Sequence, residues 1–474
     1  MKNRIVFYIL CFIGVLCRFY YQFLIPSFNG DEISLGLNIK QLNYYQLLQP
    51  MRRGQSAPPL FLWLQKFISN LPIPNWIGFK LVSFFISILV LIVFLKFIKK
   101  KEYNIILLVP FTILLFNPYV IYHSLSLKQY PFDLLGIIVL ITYFKSNKFK
   151  KAAPFFFLVW SFLSNVAIFA CVGLLLFIFI SHFYKSLKSL PNRIRVFLRV
   201  NYLLILSLFP YIFYFIWFMY QPGASGLKEY MRLYWSGSFM PFDSSFFKYW
   251  VFQLHGFWSY FYSMNIILAI LLFLLSFNAF FYQLFKKEEI KFKNEIILCF
   301  CIFLVHLTLN IFHFYPLSDR LYLYLTIPFI LLLASSLIFL VKKSRINSKI
   351  VSVTFSVILF STYLSYISYK ENDVKSVYNY IKAKNESSIY LTESTKKAID
   401  NFNSFTDNYF IGNIHMYKLD DSFNKSNYLV SRVYNKMRPN KKHKESVKVL
   451  EFLKNNKIVL EVSLGGYNVY RILK

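Results

Sequence analysis

Two acids, Asp31 and Glu32, stand at the end of an apolar run in Phe28-Asn29-Gly30-Asp31-Glu32. Gly30 permits a tight turn there. A helix following the acids would set them at its positive end, where their charge is favoured, and an N-cap is an equally good use of the position. Further on, Tyr122-His123-Ser124-Leu125-Ser126-Leu127-Lys128-Gln129-Tyr130-Pro131-Phe132-Asp133 places a lysine and an acid five residues apart at the mouth of two apolar runs. They can simply neutralise each other, and the lysine also suits a phosphate. Tyr315-Pro316-Leu317-Ser318-Asp319-Arg320 brings an arginine to a similar boundary, with a planar fork able to grip phosphate at two points. A carboxylate to take a proton and cations to steady a leaving anion are the two halves of a displacement reaction.

The elements that must position these groups are membrane helices. The chain has 474 residues, 57% of them hydrophobic and only 16% charged, against about 25% charged in soluble domains. Apolar runs of about 20 residues, enough to cross the hydrocarbon core, recur up to about residue 369. The net charge of +32 does not indicate nucleic acid. Its lysines and arginines cluster in short stretches between the apolar runs, at 96–101, 145–151, 185–195, 286–293 and 342–349, where the positive-inside rule anchors cytoplasmic loops. Anionic headgroups are the expected partners of such clusters. All five cysteines fall within apolar segments, so neither a disulfide framework nor a cysteine metal site is indicated. The first apolar run lacks a small-residue cleavage site and reads as an uncleaved helix.

With the basic clusters inside, the N-terminus is cytoplasmic. Spans are expected over about 5–26, 76–97, 103–121 and 131–144, with 30–73 outside. The stretch 153–184 is too short for two spans and predicts two short helices meeting near Ser164-Asn165. Spans follow over about 200–220, 263–285, 294–313, 319–341 and 349–368, with a large outer loop at 221–262. This makes about 11 membrane segments and leaves the tail outside. Residues 1–369 form one region and 370–474 a second, a small extracytoplasmic α/β domain. In it helices are expected over 374–383, 394–403 and 444–455. Strands are expected over 388–392 and 428–433, with a hairpin of 458–463 and 468–472 turned by Gly465-Gly466. Of the acids before the tail, Glu102, Glu288, Glu289 and Glu295 fall among cytoplasmic lysines. An outer active site there must draw on Asp31, Glu32, Asp133, Glu229, Asp243 or Asp319.

The acidic pair after the first helix, Pro58-Pro59-Leu60, Lys128-Gln129-Tyr130 and Tyr315-Pro316 with Arg320, in this order, resemble the GT-C glycosyltransferases. The nearest group is the bacterial relatives of the dolichyl-phosphate-mannose protein mannosyltransferases and of the lipid A aminoarabinose transferase. The loop Tyr234-Trp235 through Phe239-Met240-Pro241 to Trp250 is similar too. The resemblance implies an α-helical polytopic membrane protein of GT-C type in the bacterial cytoplasmic (inner) membrane. It implies inverting transfer of a sugar from a polyprenyl-phosphate donor to an acceptor hydroxyl, of a protein, lipid or glycan, on the extracytoplasmic face. It makes Asp31 the general base, with Glu32 as neighbour or alternative. Lys128 and Arg320 are cast as phosphate ligands, Tyr130 and Tyr315 as hydrogen-bond donors, and Asp133, Arg52 and Arg53 as secondary candidates. Ser126 stands where many relatives carry an acid, and Ala57 where many carry His or Lys. The first bears on a divalent cation, the one cofactor the resemblance leaves room for; the second removes an expected phosphate ligand. His306 and His313, seven residues apart on one helix face, lie about 10 Å apart along the axis, too far for joint ligation. A polysaccharide polymerase or ligase is the alternative, expected to carry arginine-rich outer loops. A lipid-sugar transporter is another, expected to show paired repeats.

Overall fold

The computed structural model describes residues 2–24, 28, 30–185, 190–251, 290–367, five C-terminal strands, and isolated positions within 253–285, 380–384 and at 401. Among these residues the chain is mostly helical. Among the described residues four helical segments are long and apolar enough to cross a membrane, or six if two bent pairs each count as one. The chain is thus a helical membrane protein. The expected span at 263–285 and the tail helices lie largely outside the described residues.

Helix α1 (Lys2–Phe19) continues as a π-turn over Tyr20–Leu24. Then come α2 (Gly30–Gln41), α3 (Pro59–Ser69) and α4 (Asn75–Lys100). The expected span at 103–121 falls on two helices, α5 (Leu108–Phe116) and α6 (Pro118–Ser124), bent by 54° from each other. The cause is Pro118, which has no N–H to offer the Leu114 carbonyl. Arg18, wholly buried in α1, fills the gap by donating to the carbonyls of Leu114 and Leu115 at 2.8 and 3.0 Å. The Asn117 side chain accepts from the Val120 N–H and caps α6. Helices α7 (Tyr130–Tyr143), α8 (Asn147–Ser161) and α9 (Val166–Lys185) follow. The break between α8 and α9 falls at 162–165, as the short-helix argument requires.

That break is a junction. The Phe162 carbonyl accepts from the N–H groups of Leu60 and Phe61, meeting the donors freed at the Pro58-Pro59 start of α3. Ser164 holds Asp133 of α7, and Asn165 accepts from Tyr211. Tyr211 belongs to α11 (Phe209–Met219), bent by 55° from α10 (Leu190–Leu206) where one span was expected. After α12 (Ala224–Tyr234) come α13 (Lys293–Ile311), α14 (Thr326–Ser344) and α15 (Ser348–Ile367). A turn over Asp319–Leu325 precedes α14. Glu295, at the start of α13, pairs with Lys101 and Lys145, each at 3.2 Å, and ties together the basic ends of α4 and α7.

Helix α9 lies closely along α13. A Cβ on Gly173 would stand 2.7 Å from the Ile302 Cα and 2.8 Å from its nitrogen, so only glycine lets these backbones approach. Gly173→Ala is therefore expected to destabilise the protein by about 1–3 kcal/mol, the usual cost of overpacking. Thermal unfolding in detergent, followed by helical circular dichroism, will show a lowered midpoint.

The C-terminal strands are β1 (Ser388–Leu391), β2 (His415–Lys418), β3 (Tyr428–Arg432), β4 (Ile458–Leu464) and β5 (Tyr467–Ile472), in one sheet of order β2-β1-β3-β5-β4. β1 runs parallel to β2 and β3, while β5 pairs antiparallel with β3 and β4. Four strands fall where sequence patterning sets them. β2 escapes it, because His-Met-Tyr-Lys carries no clear alternation.

Candidate active site

Asp31 and Glu32 lie in the first turn of α2. They are thus inside the helix, where its dipole favours their charge, rather than at a cap before it. Successive positions in one turn diverge, and the two carboxylates go different ways. Glu32 is buried, and its Oε1 accepts from the Leu127 N–H at 2.7 Å. Asp31 stays about one-third exposed and meets the Arg320 guanidinium at 2.6 Å.

Arg320 comes from the turn before α14, and its guanidinium carbon lies 5.5 Å from the centre of the Trp235 ring. Burial works against its charge, but the oxygens of Tyr130, Asp31 and Tyr234 outweigh this and hold its pKa above the ordinary value. Lys128 is buried between α6 and α7 and donates to Gln55 Oε1 at 2.7 Å. Burial is the largest influence on it and pulls its pKa well below that of an ordinary lysine; Asp31 and Glu32 push the other way, and Arg320 adds to the lowering. Asp31, Glu32, Lys128, Tyr130 and Arg320 therefore share one electrostatic neighbourhood.

Tyr315 and Asp133 belong to an adjoining buried layer. Burial foremost raises the Tyr315 pKa, with further contributions from Asp133 and Tyr130. The Tyr315 ring packs edge-on against Phe169 and His306, at 4.8 and 5.2 Å between centroids. Asp133 accepts from Ser164, so its partner is the α8–α9 junction rather than Lys128. Arg52 and Arg53 stand exposed on a 3₁₀ turn, Arg52–Gly54. Among the described residues no carboxylate pairs with either. Arg53 takes a left-handed φ of 62° and Gly54 one of 63°, which lets Gly54 sit under the Tyr230 ring of α12.

The segment that carries Trp235 is clamped by Asn310. Asn310 donates to the Ser238 carbonyl at 2.8 Å and accepts from the Met240 N–H and the Tyr249 hydroxyl, each at 3.0 Å. His313 stacks on Phe239, and its Nε2 lies 3.2 Å from the Met240 carbonyl. His306 joins the Tyr324 hydroxyl and the Pro316 carbonyl at 2.7 and 3.1 Å. The two histidines thus fix the surroundings of Trp235 and Tyr315, each by its own contacts. Among the described residues no three His, Cys, Asp or Glu side chains gather as metal ligands. Ser126 spends its hydroxyl on the His123 carbonyl, and Lys128 and Arg320 already counter the nearby carboxylates. These residues do not fit a divalent cation.

Several participants escape sequence reasoning. Gln55 lies just before Pro58-Pro59 with nothing local to single it out, and Asn310 is one polar residue near the end of an apolar helix. Lys80 and Arg18 did leave a signal, since a cation inside an apolar span is costly and demands a reason. Lys80 is buried in α4 with its ammonium 4.4 Å from the centre of the Phe28 ring, three residues before Asp31.

The different tasks of the acids can be separated. Glu32→Ala leaves the buried Leu127 N–H without this acceptor and is expected to cost about 1–3 kcal/mol of stability, whereas Glu32→Gln keeps an acceptor and most of that stability. Thermal unfolding of both variants beside Asp31→Asn checks this.

Comparison with known protein families finds no matching family model, and comparison with curated proteins finds no match.

Proposed function

We propose that the chain is an inverting membrane glycosyltransferase of GT-C type that moves a sugar from a polyprenyl-phosphate donor to an acceptor hydroxyl at the outer face. The observation that carries this reading is the Asp31 carboxylate, about one-third exposed and 2.6 Å from Arg320, with buried Lys128 in the same field. Asp31 takes the proton of the acceptor hydroxyl as its oxygen bonds to the anomeric carbon. The bond from that carbon to the phosphate oxygen breaks in the same displacement, and the phosphate leaves with the electron pair. Arg320 and Lys128 supply positive charge where the leaving oxygen becomes anionic. The Arg320 fork keeps N–H groups beyond the one facing Asp31 and can hold base and phosphate together. Glu32 positions the Leu127–Lys128 backbone; Tyr130 and Tyr315 are hydroxyl donors, and Asp133 braces α7 against the α8–α9 junction. The wider reading carries about 11 membrane segments, a cytoplasmic N-terminus, an extracytoplasmic tail domain and residence in the bacterial cytoplasmic membrane.

Equilibrium binding of polyprenyl phosphate, the leaving group, tests the cation cluster. A phosphate binds the protonated lysine, so affinity is full below the folded pKa of Lys128 and falls as pH rises through it. Because burial lowers that pKa, the loss is expected at lower pH than an ordinary lysine would give. Lys128→Met should bind more weakly at neutral pH and lose this alkaline decline. A wild-type affinity that does not respond to either change would remove Lys128 from the phosphate site.

A further inference from the structure

At the opposite end of α4 from Lys80, α1 and α4 frame a groove of about 340 Å³. Its walls are apolar, from Phe12 and Val15 of α1 and Ile92 and Leu95 of α4, and its end is lined by Lys96 and Lys99. Phe12 and Ile92 are exposed on the helix surfaces, so the groove opens sideways from the bundle.

The basic cluster of α4 is divided in its duties. Lys100 donates to the Thr142 carbonyl and lies over the Tyr143 ring, while Lys101 pairs with Glu295. Both are held by the protein's own partners. Lys96 and Lys99 are exposed, and among the described residues no carboxylate pairs with either. Arg4 adds a third cation, 5.5 Å from the Tyr8 ring that also lines the groove. An apolar trough ending in unpaired cations, opening sideways on a transmembrane helix, complements one chemistry: an anionic headgroup with an acyl chain.

We infer that the α1–α4 groove binds an anionic phospholipid of the cytoplasmic leaflet, its headgroup on Lys96 and Lys99 and one acyl chain between Phe12 and Leu95. At about 340 Å³, near the lower limit of small-molecule pockets, the groove accommodates a chain rather than a folded partner. The site stands whether or not the outer face transfers sugars, because it shares no residue with Asp31, Lys128 or Arg320.

The test is native mass spectrometry of the full chain released from nanodiscs of phosphatidylglycerol or phosphatidylcholine. The wild type is expected to retain one phosphatidylglycerol and to retain phosphatidylcholine at least tenfold less. The double variant Lys96→Gln/Lys99→Gln is expected to lose that retention while keeping its helical circular dichroism. Lys148→Gln/Lys150→Gln, which removes the same charge from exposed lysines of α8, should retain lipid like the wild type. Equal loss in both double variants would reduce the effect to general surface attraction and overturn the site. Equal retention of both lipids would overturn it too, as would retention of polyprenyl phosphate in place of phospholipid from a mixed membrane extract.

Discussion

Asp31→Asn is expected to lower the rate of sugar transfer by about 10²–10⁴-fold, the usual contribution of a positioned general base. The asparagine fills the same space and its amide oxygen can still accept from Arg320, so the guanidinium keeps a neighbour. What is lost is the ability to take a proton from the acceptor hydroxyl. The turnover number should therefore fall while the binding of polyprenyl phosphate changes little. Arg320 is largely buried, so losing the charge of its partner should also cost some stability, and rates are compared on protein shown to be folded by helical circular dichroism. Glu32→Gln provides the contrast: its buried carboxylate is committed to the Leu127 N–H, and its transfer rate should stay within a few-fold of wild type. If Glu32→Gln lost as much activity as Asp31→Asn, the base assignment would move to Glu32.

Arg320→Met carries the second large effect. Removing a single preorganised donor to a developing oxyanion typically costs about 10²–10³ in rate, and Arg320 does more than that because it also pairs with Asp31 and faces Trp235. The variant should lose both affinity for polyprenyl phosphate and turnover. Arg320→Lys restores the charge without the planar fork, so it should recover part of the affinity and little of the turnover. Full recovery by lysine would show that charge alone, and not the geometry shared with Asp31 and Trp235, is what the site requires.

Much of this site was visible in the sequence because membrane burial makes polar residues conspicuous. Asp31, Lys128 and Arg320 stood out as charges at the ends of apolar runs, and the structure joins them in one neighbourhood. Their pairing was not legible: Lys128 lies five residues from Asp133 yet takes Gln55, while Asp133 takes Ser164. Linear spacing cannot report which partner a bent backbone presents. The bends themselves were half legible. The break at 162–165 follows from counting residues against bilayer thickness, but the bends at Asn117 and Ser207 interrupt runs of adequate length. Pro118 marked the first of these, and Arg18 is its remote complement, found only once α1 is laid against α5. The clamp on Trp235 rests on Asn310, whose importance comes from three contacts across about 70 residues of chain. No local pattern could announce it. In the tail, alternation and the Gly465-Gly466 turn announced the β4–β5 hairpin, whereas β2 depends on its neighbour β1 for its conformation.

The most direct test of the central claim is sugar transfer by the purified, folded chain. A polyprenyl-phosphate donor labelled in its sugar is incubated with native membrane acceptors, and both the label and the anomeric configuration of the product are followed. The label should leave the lipid and appear on an acceptor hydroxyl with inverted configuration, and with Asp31→Asn it should stay on the lipid. Transfer undiminished in that variant, product with retained configuration, or movement of intact labelled lipid across the membrane without transfer would contradict that claim.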